Sequence, residues 1–393
     1  MKIPLSIISQ MCFLLSLLAA VPAFSATVVV GTCMPNKVSY DSLTEAVQGV
    51  PTGSTIQVCP GTYAEQVVID KSLTLKGITS GNSAYPMIVP PAGGLNANAT
   101  GLNNSPFFPN SAIAAQIIVL SGVNVTINGV ALDATGSLPI CNAIVVGVLV
   151  QDSSAILTDV AIKNQLQIGP PPCSSAARGA GILAQNDTTV TQTIKVQNST
   201  FVNAGQAIES DGGANNTTIS NNSFAGNSAS NENAISIVSG NSTIQGNTIA
   251  DYNYPSAGTD INSARFAIYM QCPAGGTVAN NHISSSQAGI YFAPFNCPSA
   301  PPSVSGNDIS GASLIGIEVS GSGGLFQGND IRTSLTAIRL SGVAAGNTIQ
   351  NNTINDACAA FSSNPAAGTN TLLNNKVFNS INQAIVNTTA LCP

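Results

Sequence analysis

Charge is what this 393-residue sequence has least of: Asp, Glu, Lys and Arg make up 7% of it, with a formal net charge of -6. So few cations cannot neutralise a phosphate backbone, which argues against nucleic acid as a partner. Low charge combined with 44% hydrophobic residues is also the opposite of the balance that keeps a chain disordered. Histidine occurs once, as His282, and no two cysteines stand at Cys-x-x-Cys spacing, so a zinc site is not expected. Nothing in the composition calls for a cofactor. Beyond residue 25 no apolar run approaches the ~20 residues of a spanning helix, so no membrane span is expected.

What is present begins with a leader. "MKIPLSIISQMCFLLSLLAAVPAFSA" carries one cation, Lys2, an apolar run through Ala20, and small residues at Ala23 and Ser25. This reads as a secretory signal peptide over residues 1–25, cut after Ser25. The remainder, 26–393, is expected to be one domain of a secreted protein, extracellular or periplasmic. Cys12 leaves with the leader, and the eight cysteines left are an even set, which in an exported chain favours disulfides. They fall into near neighbours, so the expected pairs are Cys33 with Cys59, Cys141 with Cys173, Cys272 with Cys297, and Cys358 with Cys392.

The C-terminal half repeats. Aligned segments include "TISNNSF" (218–224), "TIQGNTI" (243–249), "SVSGNDI" (303–309), "LFQGNDI" (325–331) and "TIQNNTI" (348–354). The shared Asn recurs at Asn222, Asn247, Asn281, Asn307, Asn329, Asn352 and Asn375, in steps of 25, 34, 26, 22, 23 and 23. The position before it is only ever Gly or Asn, the residues that enter the left-handed region cheaply, so it marks a tight corner between two strands. A fixed Asn after the corner is what a rung-to-rung amide ladder requires. Each unit also carries a second short strand, such as Ala267-Ile268-Tyr269-Met270 or Gly316-Ile317-Glu318-Val319. Strands this short bury their apolar faces only by stacking, which makes an all-β solenoid.

This pattern resembles the right-handed parallel β-helix of the pectin-lyase-like superfamily. Weaker units continue it upstream through 125–132, 156–162 and 195–201, and the segment 41–78 resembles the entry of pectinesterase-like and NosD-like helices. In that entry Ser42-Leu43-Thr44-Glu45 has capping-box spacing and Pro51 ends the helical run, so residues 41–50 are expected to form a short helix capping the open end. Residues 79–115, rich in Asn, Gly and Pro, are expected to be a long loop standing off the stack.

Because rungs lie about 4.8 Å apart, outward residues of the second strand form a column: Glu209, Ser236, Tyr269, Tyr291, Glu318 and Arg339. The resemblance implies a saccharide groove on this face. Rings that stack on sugar C–H faces, with acids and an Arg for the hydroxyls, suit a polysaccharide partner and give Glu209, Tyr269, Tyr291, Glu318 and Arg339 as candidate substrate-binding residues. The alternative is an ordinary solvent-facing strand. Glu209 and Glu318, four rungs and roughly 19 Å apart, are too distant to be a glycosidase pair. The pectinesterase and polygalacturonase motifs are missing, and no pectate-lyase-like cluster of calcium-binding acids is found, so enzymatic activity stays open.

The column after the ladder holds Asp308 and Asp330 on adjacent rungs, with Arg332 to offset their repulsion. Solvated carboxylates are expected rather than a calcium site, since that ion wants six to eight ligands. Two functions remain in view: a protein that binds, and in one version cleaves, an extracellular polysaccharide, or a non-catalytic surface, structural or adhesive solenoid.

Overall fold

In a strand of three to six residues with every second side chain apolar, one face must be covered, and in this chain the cover is the chain's own next turn. The computed structural model describes residues 25–79, 85–103, 105, 108–120, 122–136, 143–166, 179–226, 233–253, 265–293, 302–332, 335–364 and 366–387. Each turn lays down three strands, and each strand pairs in parallel with its counterpart one turn on. The first face carries strands such as Asn215–Ser220, Ser303–Ser305, Leu325–Gln327 and Thr348–Gln350. The second lies beyond the Asn corner and runs through 12 strands from Thr62–Ala64 to Lys376–Phe378. The third includes Gln206–Asp211, Ala288–Phe292, Ile315–Val319 and Thr336–Leu340. This is the expected right-handed parallel β-helix, and among the described residues it is all-β apart from one short helix.

The interior is built from stacked columns. Ile219, Ile244, Val278, Val304, Phe326 and Ile349 lie in register on the first face, all fully buried. Phe224, Ile249, Ile283, Ile309, Ile331 and Ile354 do the same on the second. Between them the Asn ladder forms as expected. The Asn222 Nδ2 donates to Asn247 Oδ1 at 3.0 Å, Asn281 to Asn307 at 2.9 Å, Asn329 to Asn352 at 2.9 Å, and Asn352 to Asn375 at 2.9 Å. Each ladder backbone N–H donates to the same oxygen, so one Oδ1 accepts twice, as at Asn329 from Asn307. The corner residues before the ladder all have positive φ, from Asn221 at 57° to Gly246 at 64° and Asn374 at 53°. A second, shorter ladder that the repeat alignment missed joins Asn347 to Asn370 at 2.8 Å.

The helix spans Leu43–Gly49. Ser42 caps it by accepting from the Glu45 backbone N–H, and Leu43, Ala46 and Val47 are buried against the first rungs. Nearby, Cys33 and Cys59 form the expected disulfide, with Cα atoms 5.7 Å apart. Cys272 and Cys358 are also disulfide-bonded; Cys141, Cys173, Cys297 and Cys392 lie outside the described residues. Among the described residues no helix is long and apolar enough to cross a membrane.

One expectation is corrected. Residues 79–115 do not stand off the stack as a continuous loop. Met87–Val89 is a rung of the second face, paired with Thr62–Ala64 and Ala131–Asp133, and Ala112–Leu120 is a third-face strand. A three-residue strand with one core residue, Ile88, has too little alternation to stand out among Pro and Gly. The chain between them folds back, with Ala99–Thr100 antiparallel to the start of Ala112–Leu120. It seats Phe108 on the outward side chains Ile118, Leu149 and Leu183.

Candidate functional site

The third-face column is in the register read from the sequence: Glu209 pairs with Ser236, Ser236 with Tyr269, Tyr269 with Tyr291, Tyr291 with Glu318, and Glu318 with Arg339. Its burial departs from an open groove or a solvated strand. Glu209 is 0% exposed, Ser236 1%, Glu318 4% and Arg339 8%. Only Tyr269 and Tyr291 keep partial exposure. Period-2 alternation fixes which way a side chain points; it does not fix what else lies on top of it.

The two tyrosines sit on successive rungs and are held from the side by Phe266. Ring centroids are 5.7 Å apart for Tyr269 and Tyr291, edge to face, and 4.7 Å for Phe266 and Tyr291. Ala288, Leu314, Ile315 and Leu335 complete the apolar bed. Behind Tyr291 runs a hydrogen-bonded row: its hydroxyl lies 3.0 Å from Ser320 Oγ, which lies 2.7 Å from Ser341 Oγ, which donates to Glu318 Oε1 at 2.8 Å. Arg339 Nη1 is 3.8 Å from the same oxygen. Burial pushes the Glu318 carboxyl up, against the Ser341 hydrogen bond and the Arg339 charge. Burial likewise pushes the Tyr269 phenol up to about 12, so both tyrosines are neutral hydrogen-bonding rings at physiological pH.

A second feature went unnoticed in the sequence. Two residues beyond Glu209 and on the same side of the strand, Asp211 lines a cleft of about 360 Å³ with Asn186 to Thr189, Gly212 to Ala214, and Ser239. Asn186 Oδ1 accepts from the Thr188 backbone N–H at 3.0 Å and hydroxyl at 2.7 Å, and Asp152 accepts from the Asp187 N–H at 2.9 Å, which fixes this rim. Gly212 closes the other side: a Cβ there would lie 2.6 Å from the Asn186 Cβ. Burial lifts the Asp211 carboxyl to about 6; a Ser105 hydrogen bond opposes the rise and the Asp187 charge adds to it. The signal available was "ESDGG", two acids on one side of a strand running into a Gly pair. The rim from Asn186 to Thr189 was legible only in three dimensions.

The outward acids of the second face stay in contact with solvent, 37% exposed at the Asp308 side chain and 47% at Asp330, and are paired there. Asp308 and Asp330 are in register, but Asp308 is 2.9 Å from His282 Nδ1 and forms an ion pair with Arg332, whose Nε lies 3.6 Å from Asp330. Arg332 offsets part of the charge of the two acids, as its position implied. Among the described residues no group of three or more His, Cys, Asp or Glu is placed to hold a metal ion.

No protein-family model and no curated protein sequence matches the chain. Solved structures do. The chain is similar to a GH136 lacto-N-biosidase from Eubacterium ramulus, at 10% identity and a TM-score of 0.62, over 95% of this chain and 70% of that one. It is also similar to a DFA-IIIase from Arthrobacter chlorophenolicus A6 without its lid, at 15% identity and a TM-score of 0.52, over 91% and 99%. The likeness is one of fold. At these identities no residue of either site is carried over to this chain.

Proposed function

We propose that the protein is an exported β-helix that binds an extracellular polysaccharide on its third face, with Tyr269 and Tyr291 as the contact surface. The observation that carries this reading is the pair of partly exposed rings on successive rungs, fixed by Phe266 and the Ser320 hydrogen bond. Rigid rings lose little side-chain entropy on binding, and their faces suit the C–H surfaces of a sugar. The buried Glu318 and Arg339 are then supports that orient Tyr291 through the serine row, and Glu209 is a buried group of the same column. The pectin-lyase-like entry segment, the leader over 1–25 and the Cys33–Cys59 disulfide support export and membership of that superfamily. The similarity in fold to a lacto-N-biosidase and a DFA-IIIase agrees with a carbohydrate ligand.

A glycan array tests the reading. The wild type is expected to bind a defined set of polysaccharides, and the Tyr269→Ala, Tyr291→Ala double variant to bind them at least about tenfold more weakly. Binding to no glycan, or binding indifferent to the double variant, overturns it in favour of a non-catalytic structural or adhesive solenoid.

Asp211 favours a second reading, in which binding is accompanied by hydrolysis. A carboxyl held near 6 by burial at the edge of a cleft is suited to donate a proton. Asp211 would protonate the leaving glycosidic oxygen while Asp187 takes a proton from the attacking water. The cleft is two rungs from Tyr269, roughly 10 Å by the strand spacing. Release of reducing sugar from a bound glycan, lost in Asp211→Asn with glycan binding intact, is the expected result.

A further inference from the structure

We propose that the Asp211 cleft is the specificity-determining subsite of the third face, admitting saccharide units without negative charge and turning away uronate and sulfated units. The inference rests on the third-face reading and adds to it the class of glycan. None of the nine residues lining the cleft is Lys, Arg or His, and two, Asp187 and Asp211, are acids. Asp211 is 6% exposed, and its Oδ2 has no hydrogen-bond partner among the described residues. Ser105, on the segment that folds back over this face, donates to Asp211, and the Asp187 charge bears on it from the rim.

The donors of the rim are largely spent inside the protein. Asn186 Nδ2 donates to Val190 O at 3.1 Å, and the Thr188 hydroxyl and backbone N–H both donate to Asn186 Oδ1. The Asp187 N–H is taken by Asp152, and the Gly212 N–H by Ser239 Oγ at 2.9 Å. Asp211 Oδ2 is an acceptor with no such commitment. A donor brought against it by a ligand answers a buried charge that the free protein leaves unanswered. The wall is therefore negative and short of donors.

An anionic sugar asks for the opposite wall, with guanidinium, ammonium or free backbone N–H donors to hold its oxygens. In this cleft its charge would face two carboxylates, one of them largely withdrawn from water, where like charges repel with little screening. A hexose hydroxyl carries both a donor and acceptors, so it gives its hydrogen to an acid and takes one from the Thr189 or Ser239 hydroxyl. A divalent cation would also answer the acids, but among the described residues no group of three or more His, Cys, Asp or Glu is placed to hold one. The formal net charge of -6 acts in the same sense at long range, where salt screens it.

Binding at pH 8 in physiological salt, above the range where Asp211 titrates, tests this. Each uncharged polysaccharide that the wild type binds on an array is compared as its carboxymethyl and hydroxyethyl derivatives, which match in size and differ in charge. The wild type is expected to hold the hydroxyethyl form at least about tenfold more tightly, and the Asp187→Asn, Asp211→Asn variant to bring the two within about threefold. Asp159→Asn, Asp356→Asn removes as much charge from exposed corners with φ of 52° and 58°, which Asn adopts readily, and should leave the preference as it is. An anionic glycan among the wild type's tightest ligands, a preference that survives in the Asp187→Asn, Asp211→Asn variant, or an equal loss in the control overturns the inference. Each of these outcomes leaves the third-face reading standing, because that reading is decided by the tyrosine variant; an array with no ligand at all removes both.

Discussion

At the scale of single residues, Asp211 and Glu318 are both largely buried ionisable groups, Asp211 at the edge of its cleft and Glu318 behind Tyr291, with different support. Each accepts a hydrogen bond from a serine, but Glu318 also has an arginine beside it, whereas Asp211 has the Asp187 charge against it. A rise from 3.8 to about 6 means that Asp211 holds its proton in the folded state over a range where the unfolded chain has lost it. Stability from this group is therefore fully present below about pH 4, falls as pH rises, and is gone above about pH 6, a span of about 3 kcal/mol. Asp211→Asn should accordingly raise the melting temperature at pH 7 and have little effect at pH 4. Thermal scans at the two pH values check this, and a variant less stable than wild type at pH 7 would contradict it.

At the scale of elements, the Asn ladder is the feature the repeat most depends on. The Asn307 side chain makes four hydrogen bonds within the ladder layer: from the Asn281 N–H and Nδ2 to its Oδ1, and from its Nδ2 to Asn329 Oδ1 and Val278 O. Asn307→Ala removes all four and strands buried groups on both neighbouring rungs, at a cost of roughly 3 to 5 kcal/mol. Asn375→Ala, at the end of the ladder, should cost about half as much, and urea midpoints separate the two. The corner beside it discriminates further. Gly306 has φ near +63° and a Cβ there would lie 2.6 Å from Asn280 Oδ1, whereas the equivalent space at Gly328 is open. Gly306→Ala should therefore be more destabilising than Gly328→Ala, which bears mainly the ~1–2 kcal/mol of a left-handed alanine. All of this was legible in the sequence because corner, ladder and core positions recur with the repeat. Whatever does not recur was lost. Phe108 covering Leu149, the Asp187 rim, the lone rung at Met87–Val89 and the burial of Glu209 each depend on the path of a connecting segment, and no period encodes that path.

At the scale of the whole molecule, the ends differ in kind. One carries the helix and the Cys33–Cys59 disulfide, which closes a loop between residues 26 apart in sequence. Reducing it should lower stability by about 3 kcal/mol on a chain-entropy estimate, with the loss confined to the capped end. Hydrogen exchange before and after reduction would show this as lost protection around Thr27–Val30, with the ladder rungs unchanged. A disulfide also restrains the Cys358 rung near the other end.

The stapled, helix-capped beginning has a mechanical consequence. Pulled from the C-terminal side after reduction, the protein should behave less like a globule that ruptures once than like a zip opened from one side. Near that end the ladder asparagines Asn329, Asn352 and Asn375 are 23 residues apart, so each rung that peels away releases a similar length of chain, roughly 80 Å at full extension. The force trace should be a staircase of near-equal treads, its direction of travel fixed by the end from which the chain is pulled.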